Sequence, residues 1–177
     1  MSDPTPEILH QGKFLKLIRQ GCWEYASRVA SMGVVVIVAL TPSMELILVE
    51  QFRAPVGRNV IELPAGVAGD LPEFTQESLE SAAIRELEEE TGWRATGMSL
   101  LVKGPVSAGM SSEIVSFFRA QELSKVGEGG GDPTEAITVH TVALGSIEDF
   151  LKLKASSGVL IDPKIYTGLY FANPQTW

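Results

Sequence analysis

Arg85-Glu86-Leu87-Glu88-Glu89-Glu90-Thr91-Gly92 places four carboxylates within five residues. The segment ends a helical pattern over Thr75 to Thr91. Leu79, Ala83 and Leu87 recur at spacings of four, and Gly92 stands where a C-terminal stop belongs. On such a helix Glu86 and Glu90 lie one turn apart on one face, with Glu89 beside them and Glu88 turned away. Three carboxylates therefore converge, in the C-terminal half, where both their mutual repulsion and the helix dipole oppose them. A cation removes that penalty. Magnesium suits the site because it takes hard oxygen ligands and keeps waters, with manganese as a substitute. Spacing alone more often marks a solvated acidic face in which Arg85 bridges to Glu89.

Outward from this helix the chain alternates strand and helix signals. Lys13 to Gln20 and Cys22 to Ala30 read as a hairpin around Gly21. Val34 to Leu40 is β-branched and almost wholly apolar, and Thr41-Pro42-Ser43 turns it into a second buried strand, Glu45 to Phe52. Gly97 to Lys103, Ile114 to Ala120 and Ile137 to Leu144 are further strands. Ser146 to Lys154 is a short helix, and Asp162-Pro163 opens a last one through Phe171. Gly127 to Pro133 is a Gly-rich loop with no lysine and helix after it, so it reads as a mobile segment rather than a phosphate cradle.

At 177 residues the chain suits one main domain with a substantial core, its seam falling near Ser31 to Gly33. The net charge of −8 argues against a nucleic-acid binder, which gathers Lys and Arg on one face. Cys22 is the only cysteine, so no internal disulfide can form, and a buried small hydrophobe is its expected role. The apolar run Val34 to Leu40 is far short of the roughly 20 residues a membrane span needs. The start, MSDPTPEILH, lacks the regions of a signal peptide, which makes the cytoplasm the expected compartment, with no membrane partner.

Glu77, together with Arg85-Glu86-Leu87-Glu88-Glu89-Glu90-Thr91-Gly92-Trp93, resembles the Nudix box. Where that pattern opens on Gly, this chain has Leu71. Leu63-Pro64-Ala65-Gly66 supplies a Gly further upstream, consistent with an insertion of about five residues around Ala68 to Glu73, which loops tolerate. Gly12-Lys13-Phe14, Trp23-Glu24, Glu50-Gln51-Phe52-Arg53, Ile61 to Gly66 and the Asp162 to Ala172 helix extend the likeness to the ADP-ribose and nucleoside-diphosphate-sugar pyrophosphatase branch.

The resemblance implies an α/β Nudix fold, a mixed β-sheet sandwiched between helices, with a small N-terminal β subdomain. Residues 1–30 would be a dimerising or exchanged strand segment, and residues 31–177 the catalytic domain of a homodimer. It implies Mg-dependent hydrolysis of a nucleoside diphosphate sugar to a nucleoside monophosphate and a sugar phosphate. The alternative is a non-catalytic sensor of the same ligands. Glu86 and Glu90 would be the main metal ligands, Glu89 a further one and the Ala65 carbonyl a backbone ligand, while Arg85 orients the carboxylates. Glu77 is either a first-turn partner of the helix dipole or a supporting contact within the box. Phe14 and Trp23, as base-stacking aromatics or core residues, and Glu24 and Arg28 fall at the base site. Arg53 and Glu62 would contact substrate, although they could also form a structural ion pair; an Arg suits diphosphate oxygens. Glu135 is the first candidate for the general base and Glu113 the second. Ala108 stands where ADP-ribose-specific members carry proline, so ADP-ribose, other ADP-sugars and GDP-mannose all remain open.

Overall fold

The computed structural model describes residues 4–30, 32–69, 76–131 and 136–173. Its centre is β4 (Gly33–Val38), which pairs in parallel with β10 (Ile114–Gln121) and antiparallel with β7 (Ala65–Ala68); β9 (Gly97–Pro105) adds to the far side of β10. A second sheet runs β12 (Thr138–Ala143), β5 (Glu45–Arg53), β6 (Arg58–Glu62) and β13 (Leu160–Ile161), and the short strands β8 (Trp93–Arg94) and β11 (Ser124–Lys125) pair with each other. Bonds from Ile37 N–H to the Pro64 carbonyl (2.8 Å) and from Ile47 N–H to the Ala39 carbonyl (3.0 Å) join the two sheets.

The apolar run of β4 is buried on both faces, and strand alternation divides it between two cores. Val34, Val36 and Val38 pack with Leu46, Leu48, Ile61 and Phe117 against α2 (Ile147–Ser156) and α3 (Lys164–Ala172). Val35, Ile37 and Ala39 pack with Ile47 and Phe118 against Ala82, Ala83 and Leu87 of α1 (Leu79–Thr91). Helices thus cover both faces of the sheets, as the α/β/α expectation holds. Among the described residues no helix is long and apolar enough to cross a membrane.

Several local readings change. Helix α1 starts at Leu79 rather than Thr75, because the Ser78 hydroxyl caps it by accepting the Ser81 N–H (3.1 Å); Thr75 itself lies outside the described residues. The N-terminal segment has three strands, not two. β1 (Glu7–Gln11) joins the hairpin of β2 (Leu15–Gln20) and β3 (Trp23–Arg28). Cys22 is exposed rather than buried because it sits in the β2–β3 turn beside Gly21, whose φ is 61°.

The second sheet is tied to α2 by a partly buried carboxylate. Glu50 Oε2 accepts from Lys154 Nζ (2.7 Å) and contacts His140 Nε2 (3.0 Å), while Oε1 accepts from Asn59 (3.1 Å). Burial alone would raise the pKa of this carboxyl. The bonds from Lys154, Asn59 and His140 outweigh it and pull the value from 4.5 down to about 2. A depressed folded-state pKa contributes stability above pH 4.5 that is lost as the pH falls toward 2. Glu50→Gln is therefore expected to cost about 2 to 3 kcal/mol at pH 7 in denaturant titrations. The gap to wild type should narrow steadily below pH 4.5. A gap that does not change with pH would refute this account.

Candidate active site

The site forms where β7 begins beside the C-terminal half of α1. Pairing of Val36 with Ala65 and of Val35 with Gly66 fixes the backbone there, and Ala65 N–H donates to Glu90 Oε2 at 3.1 Å. Gly66 leaves the space that the Glu86 side chain occupies. A Cβ on it would lie 1.9 Å from Glu86 Cδ, so the Glu86 carboxylate rests directly on this glycine. Glu88 points away, as its spacing predicts, and pairs with Arg94 (2.6 and 2.7 Å).

Arg85 organises the acids. Its guanidinium reaches Glu77 (2.8 Å), Glu86 (2.9 Å) and Glu89 (3.1 Å), and its side chain is 14% exposed. Burial pulls its pKa down, but the bonds to Glu77 and the charges of Glu86 and Glu77 hold it above the ordinary arginine value. Glu77 precedes the helix and also accepts the Gly69 N–H (3.3 Å), which makes it a supporting contact within the box rather than a first-turn dipole partner.

The carboxylates do not meet at one point, contrary to the expected convergence. Among the described residues no three His, Cys, Asp or Glu are gathered as an ion-holding group. The reason is local: Glu86 and Glu89 turn to Arg85 while Glu90 turns to Ala65. The donors nonetheless fit a hard divalent cation. Glu86, Glu89, Glu90 and the Ala65 carbonyl offer oxygen ligands in the lining of one cavity, and Gly66 leaves room for the Glu86 carboxylate there.

That cavity, of about 650 Å³, brings together most of the expected residues: Ala65, Arg85, Glu86, Glu89 and Glu90, together with Arg28, Arg53, Glu62 and Glu113. Two ion pairs cross its wall. Arg53 Nε bonds Glu62 Oε2 at 2.7 Å, reaching back along the β5–β6 hairpin, and Arg28 Nε bonds Glu113 Oε1 at 2.7 Å. The second pair links the N-terminal sheet to the loop before β10. Backbone bonds from Ala26 N–H to the Met110 carbonyl (2.9 Å) and from Ser112 N–H to the Ala26 carbonyl (3.0 Å) support it.

Phe14, Trp23 and Glu24 do not line this cavity within one chain. Phe14 and Trp23 are exposed on the N-terminal sheet, at 69% and 59%, so neither is a core residue. Glu24 pairs with Arg19 (2.8 Å). Trp23 instead borders a second hollow of about 570 Å³ with Tyr25, Ala108 and Gly109. Glu135 lies outside the described residues.

The Gly-rich loop departs from the mobile reading over Gly127 to Gly131. Gly130 and Gly131 N–H groups donate to the carbonyls of Glu90 (2.8 Å) and Glu89 (3.0 Å), and Lys125 Nζ donates to that of Thr91 (2.9 Å). The loop thus satisfies the carbonyls that a helix end leaves unpaired, and Lys125 supplies the cation its dipole favours. Gly129, with φ of 74°, allows the approach, since a Cβ there would lie 2.4 Å from the Thr91 carbonyl carbon. Sequence reasoning also missed Lys164, which lines the cavity from the first turn of α3. A lysine at a helix start, against the dipole, is the signal that could have found it.

The model of the NUDIX domain matches residues 31–160. An ADP-ribose pyrophosphatase of Bacillus subtilis (strain 168) is 40% identical over 130 residues, which cover 72% of this chain and 65% of that protein. A methanol dehydrogenase activator of Bacillus methanolicus is 33% identical over 125 residues, covering 69% of this chain and 64% of that protein. The matched regions thus span just under two thirds of these relatives' lengths. A crystal structure of an ADP compounds hydrolase superposes with a TM-score of 0.70 at 20% identity, over 97% of this chain and 90% of the other, and shares the fold. With the box residues gathered on one cavity and the domain model matched over most of its length, the chain belongs to the NUDIX domain family.

Proposed function

We propose that the protein hydrolyses the diphosphate linkage of nucleoside diphosphate sugars, giving a nucleoside monophosphate and a sugar phosphate in a magnesium-dependent reaction. The observation that carries this reading is the meeting of an acidic helix face with Arg28 and Arg53 in one cavity of about 650 Å³, within the size range of small-ligand sites. The B. subtilis relative named ADP-ribose pyrophosphatase supports the substrate class. ADP-ribose, ADP-sugars and GDP-mannose are the candidates.

Glu86, Glu89, Glu90 and the Ala65 carbonyl would hold the cation, with Arg85 and Glu77 orienting the acids. A bound magnesium ion neutralises diphosphate oxygens and activates water. Arg53, steadied by Glu62, is suited to hold diphosphate oxygens, and Arg28 sits where the N-terminal sheet meets the cavity. The proton of the attacking water would pass to Glu135 or Glu113. Because Glu113 is committed to Arg28, Glu135 stays the first candidate.

Incubating the protein with a nucleotide-sugar panel and magnesium, then resolving products, tests the proposal. Monophosphate plus sugar phosphate supports it. Tight binding without turnover across the panel would instead establish the sensor reading. A homodimer belongs to the same proposal, because the N-terminal sheet exposes Phe14, Leu15 and Trp23 and is too small to enclose a core. Trp23→Ala should then raise KM about 5- to 100-fold with little change in kcat, the range a lost base stack implies. A monomer in sedimentation at micromolar concentration, or an unchanged KM, would remove the shared-site idea.

A further inference from the structure

Lys164 enters the same cavity from an element that the family box does not include. Its placement follows from how α3 packs. Gly168, one turn later on the same face, lies so close to Leu63 that a Cβ would sit 2.7 Å from Leu63 Cδ1, and Ile165 and Ala172 continue the buried stripe. The preceding residues are pinned as firmly. Leu160 and Ile161 pair with Val60 and Ile61 of β6, and Asp162 N–H donates to the Ile61 carbonyl at 3.0 Å. The first turn of α3 is thereby fixed beside Glu62, the next residue of β6.

A lysine here is electrostatically out of place, since the helix start is already positive and no acidic residue lies in that first turn. Asp162 partly compensates. One of its oxygens accepts the Lys164 N–H at 2.8 Å, and the other pairs with the ammonium. The cap itself is made by the Lys164 backbone N–H and Asp162, and the ammonium adds an ion pair while also lining the cavity. Each cation of the cavity has a carboxylate partner: Arg28 has Glu113, Arg53 has Glu62, Arg85 has three acids and Lys164 has Asp162. Lys164 has three donors, and the Asp162 pair occupies one.

Building on the nucleotide-sugar reading above, we propose that Lys164 is a substrate-binding residue whose ammonium donates to an oxygen of the substrate's diphosphate. The residue selects for a charged diphosphate rather than for the base. The test measures binding of ADP-ribose and of adenosine, without metal, to wild type, Lys164→Gln and Lys164→Arg. Lys164→Gln should weaken ADP-ribose about ten-fold while leaving adenosine unchanged, the loss expected of one charge-assisted hydrogen bond. Lys164→Arg should stay within about three-fold of wild type, because it keeps the charge but not the point geometry. With metal, the Lys164→Gln defect should appear in KM and not in kcat. Equal ADP-ribose affinity of Lys164→Gln and wild type overturns the proposal, as does equal weakening of adenosine, which marks a merely structural role. Wild type that binds no nucleotide sugar on the panel overturns the substrate reading itself, and this proposal with it.

Discussion

Glu90→Gln is expected to lower kcat about a thousand-fold at saturating magnesium, the factor that several kcal/mol of lost metal assistance implies. Glu90 is buried at 5% exposure, and its Oε2 takes the Ala65 N–H at 3.1 Å, so it joins α1 to the start of β7. Glutamine keeps an acceptor oxygen for that bond and nearly the same volume. What it removes is the negative charge. The fold should therefore persist, and in metal-free buffer the variant should match or exceed wild-type stability, because one carboxylate fewer crowds the negative end of α1. Rates across a magnesium titration, with thermal unfolding in chelator, check both halves. Turnover near the wild-type value at saturating magnesium would remove Glu90 from the metal site.

What the sequence disclosed and what it withheld follow from the range over which each feature is determined. Helix α1, the outward turn of Glu88 and the grouping of Glu86, Glu89 and Glu90 on one face depend on residues within a turn or two of one another, so spacing alone conveyed them. The buried centre at Val34 to Leu40 was equally legible, because a strand covered on both faces must be apolar throughout. The short strand Ala65–Ala68 was not, since its extended form comes from pairing with Val34 and its neighbours rather than from its own small residues. The docking of Gly127 to Gly131 was hidden for a related reason. Glycines signal freedom in isolation, yet here positive φ at Gly129, Gly130 and Gly131 lets the loop lie against α1. Lys164 gains its place through the Gly168–Leu63 contact and the pairing of Leu160 and Ile161 with β6, which no local pattern contains. The missed convergence of carboxylates has a cause in their partners: helix geometry sets where Cβ atoms point, but Arg85 draws the oxygens of Glu86 and Glu89 and the Ala65 N–H draws those of Glu90.

Gly66→Ala is expected to reduce turnover at least about a hundred-fold while changing unfolding stability little, a misplacement effect rather than a folding one. The added methyl would meet Glu86 at Cδ (1.9 Å), Cγ (2.2 Å) and Oε1 (2.2 Å), closer than any real contact allows. The backbone at position 66 is held by β7–β4 pairing, whereas the Glu86 carboxylate is the end of a flexible side chain. The side chain must yield. It loses its place in the cavity lining, and its bond to Arg85 Nη1 (2.9 Å) is broken or redirected, so the proposed metal ligand is displaced without being removed. This makes the effect separable from general damage. In a Glu86→Ala background nothing is left to displace, and adding Gly66→Ala should cost almost no further activity. The four proteins of this cycle, assayed for kcat with magnesium and for denaturant midpoint, give a direct reading. Additive losses from the two substitutions would mean that Gly66 acts through the strand and not through Glu86, and the cradle would lose its proposed role in holding a metal ligand.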